Sequence, residues 1–174
     1  MSVVVSGNKI LEIYKTRDIK LSAKNKIYPS SGKYLIPGLW DSHVHFSYER
    51  DLSDAMPNLF LAHGITSVRD TGGEFNFVNK FKQDATKNPK AKTRVMIAGP
   101  LIDGKFNVYD GSSEALPLLS IKNNGLKQLE QNALRLIESK GEVLKAYEKL
   151  SPEQFKLLAE IAKNYNVKLT AHIP

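Results

Sequence analysis

The rhythm of apolar and polar positions changes at Pro37-Gly38. Before that point, short apolar groups between turn residues predict β-strands. Val3-Val4-Val5 is strand-like, and residues 10–14 follow the Gly7-Asn8 turn; residues 18–21 and 26–28 are weaker segments, and Ser30-Ser31-Gly32 punctuates the run before residues 34–36. After it, strands and helices alternate. Residues 39–46 read as a strand and 53–63 as a helix, closed by Gly64 at its C-terminal cap. Residues 65–70 form a second strand, stopped by Thr71-Gly72-Gly73. Phe75, Val78 and Phe81 then recur at helical spacing as far as about Asp84. Residues 94–98 are a third strand, ended by Gly99-Pro100 and followed by a long irregular stretch. Leu126, Leu129, Ala133, Leu136 and Ile137 mark one helix face, and residues 143–146 a fourth strand. In Ser151-Pro152-Glu153-Gln154, Ser stands at the N-cap, Pro at the first helical position and Gln closes a capping box. Phe155, Leu158, Ala159, Ala162 and Tyr165 give that helix a buried stripe, and residues 167–171 form a fifth strand. Such alternation predicts a parallel sheet, because parallel neighbours need a crossover connection.

Composition bounds this picture. The chain has 174 residues, of which 41% are hydrophobic and 25% charged, as in an ordinary globular domain with at most a small appendage. A complete eight-stranded β/α barrel takes about 250 residues, so only part of one fits. The predicted division is residues 1–36 as a small β unit and 37–174 as a β/α unit. With no Cys, disulfides, thiolate metal sites and thiol nucleophiles are excluded, and any metal must be held by His, carboxylate or modified Lys. No apolar run approaches the ~18 residues that cross a bilayer, so no membrane partner is expected. The first residues lack a basic segment leading into a long apolar one, so no signal peptide is expected either. The compartment stays open, with the cytoplasm favoured. The net charge of +7 raises the question of nucleic acid. The densest basic stretch (Lys80, Lys82, Lys87, Lys90, Lys92, Arg94) is interrupted by Asp84 and lacks interleaved aromatics. It reads as a solvated helix end and loop, and no nucleic-acid partner is expected.

The candidate chemistry lies at strand ends. His43 and His45, two residues apart in a strand, project to one face and can chelate a single divalent ion. Asp41 shares that face and could orient them. An H-x-H pair alone is weak evidence, but this one sits at the C-terminal end of the strand that opens the β/α series, where barrel active sites are built. Lys145 lies near the end of the fourth strand. The plain reading is a Lys that snorkels or pairs with a carboxylate. The chemical one is a Lys with a depressed pKa, whose neutral amine adds carbon dioxide to become a carbamate that bridges two metal ions. His172 ends the fifth strand. Tyr147, on the face of Lys145, could reach a substrate or simply pack. His63, beside Gly64 at a helix end, carries no chemistry. The long stretch 100–125, with Asp103, Tyr109, Asp110 and Pro117, is either a substrate-facing loop or a surface insertion.

The segment Pro37-Gly38-Leu39-Trp40-Asp41-Ser42-His43-Val44-His45 resembles the first-strand signature of the amidohydrolase superfamily of metal-dependent hydrolases. Gly64-Ile65-Thr66-Ser67-Val68-Arg69-Asp70-Thr71-Gly72-Gly73 is similar to the second-strand region of its imidazolonepropionase-like and prolidase-like branch. Lys145-Ala146-Tyr147 with Leu150-Ser151-Pro152-Glu153 resembles that branch's carboxylated-lysine strand and following helix, and Ala171-His172 its fifth-strand histidine. The resemblance implies an α/β fold: an incomplete (β/α)8 TIM barrel, strands one to five, preceded by part of a small flanking β-sandwich in residues 1–36. It implies His43, His45, Lys145 and His172 as ligands of two divalent ions, zinc by default with manganese or cobalt possible, and carbon dioxide for the lysine.

The resemblance also implies hydrolysis of amide, dipeptide-like or cyclic amide C–N bonds by a metal-activated hydroxide. The family's strand-six His and strand-eight Asp, its proton carrier, have no counterpart before Pro174. The expectation is therefore an N-terminal portion, inactive alone, whose partners are a small amide substrate, the missing C-terminal half of the barrel and, through open sheet edges, a second copy. The competing expectation is a non-catalytic metal-binding remnant or module that acts with a partner chain.

Overall fold

The computed structural model describes residues 1–89 and 91–172. The chain divides into two compact units, Met1–Ile36 and Pro37–Pro174. In the first, β1 (Ser2–Ser6) and β2 (Lys9–Tyr14) form an antiparallel hairpin around Gly7, whose φ of 60° suits a tight turn. The segments at 18–21, 26–28 and 34–36 are not strands. They find no ladder partner among the described residues, and Leu21, Ile27, Tyr34, Leu35 and Ile36 stay exposed. Apolar content without a neighbouring strand does not make a sheet.

The second unit is the expected parallel β/α series. Its strands are β3 (Leu39–Val44), β4 (Ile65–Asp70), β5 (Arg94–Ile97), β6 (Leu101–Asp103), β7 (Ser120–Lys122), β8 (Val143–Ala146) and β9 (Lys168–Ala171). Its helices are α1 (Met56–Ala62), α2 (Phe75–Lys87), α3 (Leu126–Glu138) and α4 (Pro152–Asn164). One sheet runs β3-β4-β5 and a second β7-β6-β8-β9, every ladder parallel. β5 and β6 follow one another through Gly99-Pro100, where the missing proline N–H interrupts the ladder. β5 pairs with β4 and β6 with β8, and the Glu142 N–H donates to the Ile97 carbonyl at 3.1 Å. The third barrel strand is thus broken in two, and the described strands form no closed barrel. The stretch 100–125 is not wholly irregular, for it contains β6 and β7.

Alternation along each strand decides what faces the helices. Val44 of β3 and Phe46 just past it, Val68 on β4, and Val95 and Ile97 on β5 pack with Val78, Phe81 and Ala85 of α2. The Phe46 and Phe81 rings stack with centroids 4.6 Å apart. A second cluster joins Ile102, Leu144 and Ala146 to Leu129, Ala133 and Leu136 of α3 and to Leu158, Ile161 and Ala162 of α4. The stripe of α4 is turned from the expected one, because Phe155 and Tyr165 are exposed while Gln154 and Ile161 are buried. Gln154 is drawn inward by the capping box with Ser151 and by donating to the Asn123 carbonyl at 3.1 Å, so positions 158 and 161 follow it inside. Leu126, at the very start of α3, also stays exposed.

The basic stretch is laced with partners. Lys80 pairs with Asp54, Lys82 with Glu142 and Lys92 with Asp84, at 3.6, 3.0 and 3.5 Å. Lys90 lies outside the described residues. Among the described residues, no helix is long and apolar enough to cross a membrane.

Candidate metal centre

With Val44 and Phe46 turned toward the helices, His43 of β3 and His45, one residue past its end, share the opposite side of the extended chain. Their Nε2 atoms lie 3.1 Å apart. Two nitrogens bound to one zinc at ~2.0–2.1 Å in tetrahedral geometry would be about 3.3 Å apart, so the pair fits a single ion. The tautomer of His45 is set by its other nitrogen. Nδ1 lies 3.1 Å from the Gly72 carbonyl, which only accepts, so Nδ1 carries the proton and Nε2 is left as the acceptor facing His43 Nε2. Burial, most of all, holds both imidazoles below their ordinary pKa. For His43 the neighbouring charges of His45, Lys145, Arg69 and His172 add to it; for His45 that of Lys145 does, against the Gly72 carbonyl. Both shifts favour the neutral ring, the form that ligates metal.

Lys145 is buried in β8, beside Thr170 of β9. Leu144 and Ala146 pack on the helices, so Lys145 faces away from the helices, as the histidines do beside their own sheet. Its pKa is lowered, first by burial and then by the Arg69 guanidinium. A larger share of neutral amine is what addition of carbon dioxide requires. His172 follows β9 directly, its N–H on the Ala146 carbonyl at 3.1 Å. Its ring lies 5.2 Å from that of Tyr147, and its Nε2 is 3.5 Å from the Glu148 carboxylate. The structure thus joins His43 to His45 and sets Lys145 close enough for its charge to reach both. It turns His172 toward Glu148, and no group of three or more His, Asp or Glu side chains forms a metal-holding cluster among the described residues. Asp41 does orient His43, but through the backbone: its Oδ1 accepts the His43 N–H at 3.1 Å.

Several residues that strand periodicity did not single out complete the surroundings. Arg69 donates from Nε to the Ser42 carbonyl at 2.9 Å, tying β4 to the strand of the two histidines. Asp70 is fully buried at the end of β4. Tyr48, Tyr109, Tyr147 and His172 form a row of rings with successive centroids 6.1, 5.8 and 5.2 Å apart. Burial and the neighbouring Tyr109 push the Tyr147 hydroxyl up to about 12, so it remains a hydrogen-bond donor at any working pH. Asp103 accepts from the N–H groups of Gly104, Val108 and Lys149, pinning the loop after β6 to the segment after β8. His63 ends α1 and has no part in this arrangement.

The parallel alternation of strands and helices is that of part of a β/α barrel. No family model matches the chain. Among solved structures it is similar to a putative prolidase from Bifidobacterium longum, with a TM-score of 0.79 and 18% identity over 98% of this chain and 43% of that one. It is also similar to molinate hydrolase (TM-score 0.78, 15% identity, 98% and 49% covered) and to a Xaa-Pro dipeptidase with bound methionine in its active site (0.73, 17%, 98% and 51%). Among curated proteins, an adenine deaminase of Clostridium perfringens is 23% identical over 99% of this chain and 30% of its own length. The chain therefore spans about a third of the curated relatives it matches and about half of these solved chains. Its α/β fold is that of amidohydrolase and prolidase-like proteins, matched over part of their length.

Proposed function

We propose that this chain carries the first metal-holding portion of an amidohydrolase that cleaves C–N bonds in amide, dipeptide-like or cyclic amide substrates. The observation that carries the reading is the His43–His45 pair, with its two Nε2 atoms 3.1 Å apart and the His45 lone pair aimed by the Gly72 carbonyl. His43 and His45 hold one divalent ion, zinc by default with manganese or cobalt as alternatives. Lys145, if carboxylated, and His172, on leaving Glu148, would add donors for holding two divalent ions. Bound metal supplies a Lewis acid for the substrate carbonyl and lowers the pKa of a water. Tyr147 donates its hydroxyl to the substrate, and the row of tyrosine rings shields that side from solvent. Residues 1–36 are read as part of the flanking β-sandwich. The groups that carry the leaving-group proton are assigned to the rest of the barrel, so the 174 residues alone hydrolyse nothing efficiently.

The 23% identity to adenine deaminase favours a second reading, in which the C–N bond broken is that of an exocyclic amine on a purine ring. The fold likeness to prolidase and dipeptidase structures favours the peptide-like bond. The experiment is metal analysis of the purified chain after exposure to zinc or manganese with 13C-bicarbonate. Bound divalent metal is expected, with a carbamate carbon signal lost in Lys145→Ala and metal lost in the double variant His43→Ala/His45→Ala. A chain that takes up no divalent metal with bicarbonate present refutes the assignment. Metal uptake by a chain that stays inert beside the remaining barrel strands supplied in trans would instead make it a non-catalytic metal-binding module.

A further inference from the structure

The carboxylate of Asp70 has no part in the chemistry assigned above, yet it is wholly buried beside it. Oδ2 accepts the Phe46 N–H at 2.7 Å and Oδ1 accepts the Gly72 N–H at 3.1 Å. The first bond grips the peptide on the C-terminal side of His45. The second grips the residue whose carbonyl receives the His45 Nδ1–H. The far side of that carbonyl's peptide is held as well, by the Gly73 N–H on the Gly99 carbonyl at 3.1 Å, and Thr71 N–H bonds the Val44 carbonyl at 3.0 Å. A buried carboxylate is an expensive way to close a turn. A shorter polar side chain would satisfy one N–H. Here two N–H groups on segments 26 residues apart in sequence (46 and 72) each take their own oxygen of one rigid group.

We propose that Asp70 is a positioning residue for the metal centre. It ties the peptide that carries His45 to the turn that receives the ring's Nδ1–H, and so keeps the Nε2 lone pair on the point shared with His43. The proposal rests on the reading of His43 and His45 as ligands, and the test separates the two. Ring 15N shifts of the histidines in the metal-free chain, and Zn2+ affinity by competition with a chromophoric chelator, are measured for the wild type, Asp70→Asn and Gly72→Ala. In the wild type, His45 is expected as the Nδ1–H tautomer. In Asp70→Asn it becomes a mixture and Zn2+ affinity falls about 10–100-fold, the usual cost of losing a group that orients a ligand. His63, outside the site, keeps its shifts.

Gly72→Ala leaves Asp70 intact but puts a Cβ 2.5 Å from Leu101 Cδ2, displacing the same peptide. It is expected to disturb His45 in the same way and decides the matter if Asp70→Asn does not fold. A folded Asp70→Asn with unchanged His45 tautomer and Zn2+ affinity overturns the proposal, as does an undisturbed His45 in Gly72→Ala. A wild type that binds no Zn2+, with a His45 tautomer that still depends on Asp70, refutes the ligand reading and leaves the positioning role standing.

Discussion

A carboxylate taken out of water is charged only against opposition, and Asp70 shows the balance. Burial raises its pKa from 3.8 to about 7, against the pull of the Phe46 and Gly72 N–H groups toward the charged form. The sign of the consequence follows from proton counting. Between about pH 4 and 7 the folded chain binds a proton at Asp70 that the unfolded chain releases, so this group's contribution to stability is full at acid pH and is lost as pH rises through 7. Urea midpoints at pH 5 and pH 8 should show the wild type losing more stability across that interval than Asp70→Asn. Equal losses in the two proteins would show that Asp70 titrates normally. At this scale His43, His45, Lys145 and His172 were legible as candidates, because strand period and strand ends place them. Asp70, Arg69 and Glu148 were not. Their roles come from partners such as Phe46, Ser42 and His172, chosen by how strand ends meet in space.

Elements were read well where a local rule sufficed. The Ser151 capping box formed as the four residues dictate, with Ser151 Oγ accepting from the Gln154 N–H at 3.2 Å and Gln154 Oε1 from the Ser151 N–H at 2.9 Å. The three-residue strands β6 and β7 escaped notice, since three residues hold too little of a period to detect. They matter, because β6 ends at Asp103, followed by Gly104, where two loops are joined. A Cβ on Gly104 would run into the Lys149 carbonyl, which is backbone and cannot swing aside. Gly104→Ala is therefore expected to destabilise the chain by about 1–3 kcal/mol, in the range of an overpacked site. It should also move the Tyr147 ring, two residues before Lys149. Urea unfolding with the aromatic NMR signals of Tyr147 checks both, and a variant as stable as wild type would show that the loop after β8 is free to retreat.

Across the whole β/α unit, the sheet edges govern behaviour. Among the described residues β3 pairs only with β4, and β9 only with β8, so each keeps one unsatisfied row of N–H and C=O groups. The β3 edge is also apolar, with Leu39 and Trp40 about half exposed. Exposed apolar edges recruit other strands, and barrels avoid this only by closing. Closure takes eight strands; with the broken β5–β6 counted as one and β7, which pairs beside β6, set apart, the arc from β3 to β9 supplies five. Two such arcs make ten, so pairing between copies satisfies edges without forming one regular eight-stranded barrel. In sedimentation velocity the chain should accordingly show an average coefficient that climbs with concentration rather than a single closed dimer. Trp40→Lys, which puts a charge on the β3 edge, should shift the population toward monomer. A wild-type chain that sediments as one monomeric species at every concentration would mean that these edges are already covered, and the open-arc account of its association would then fail.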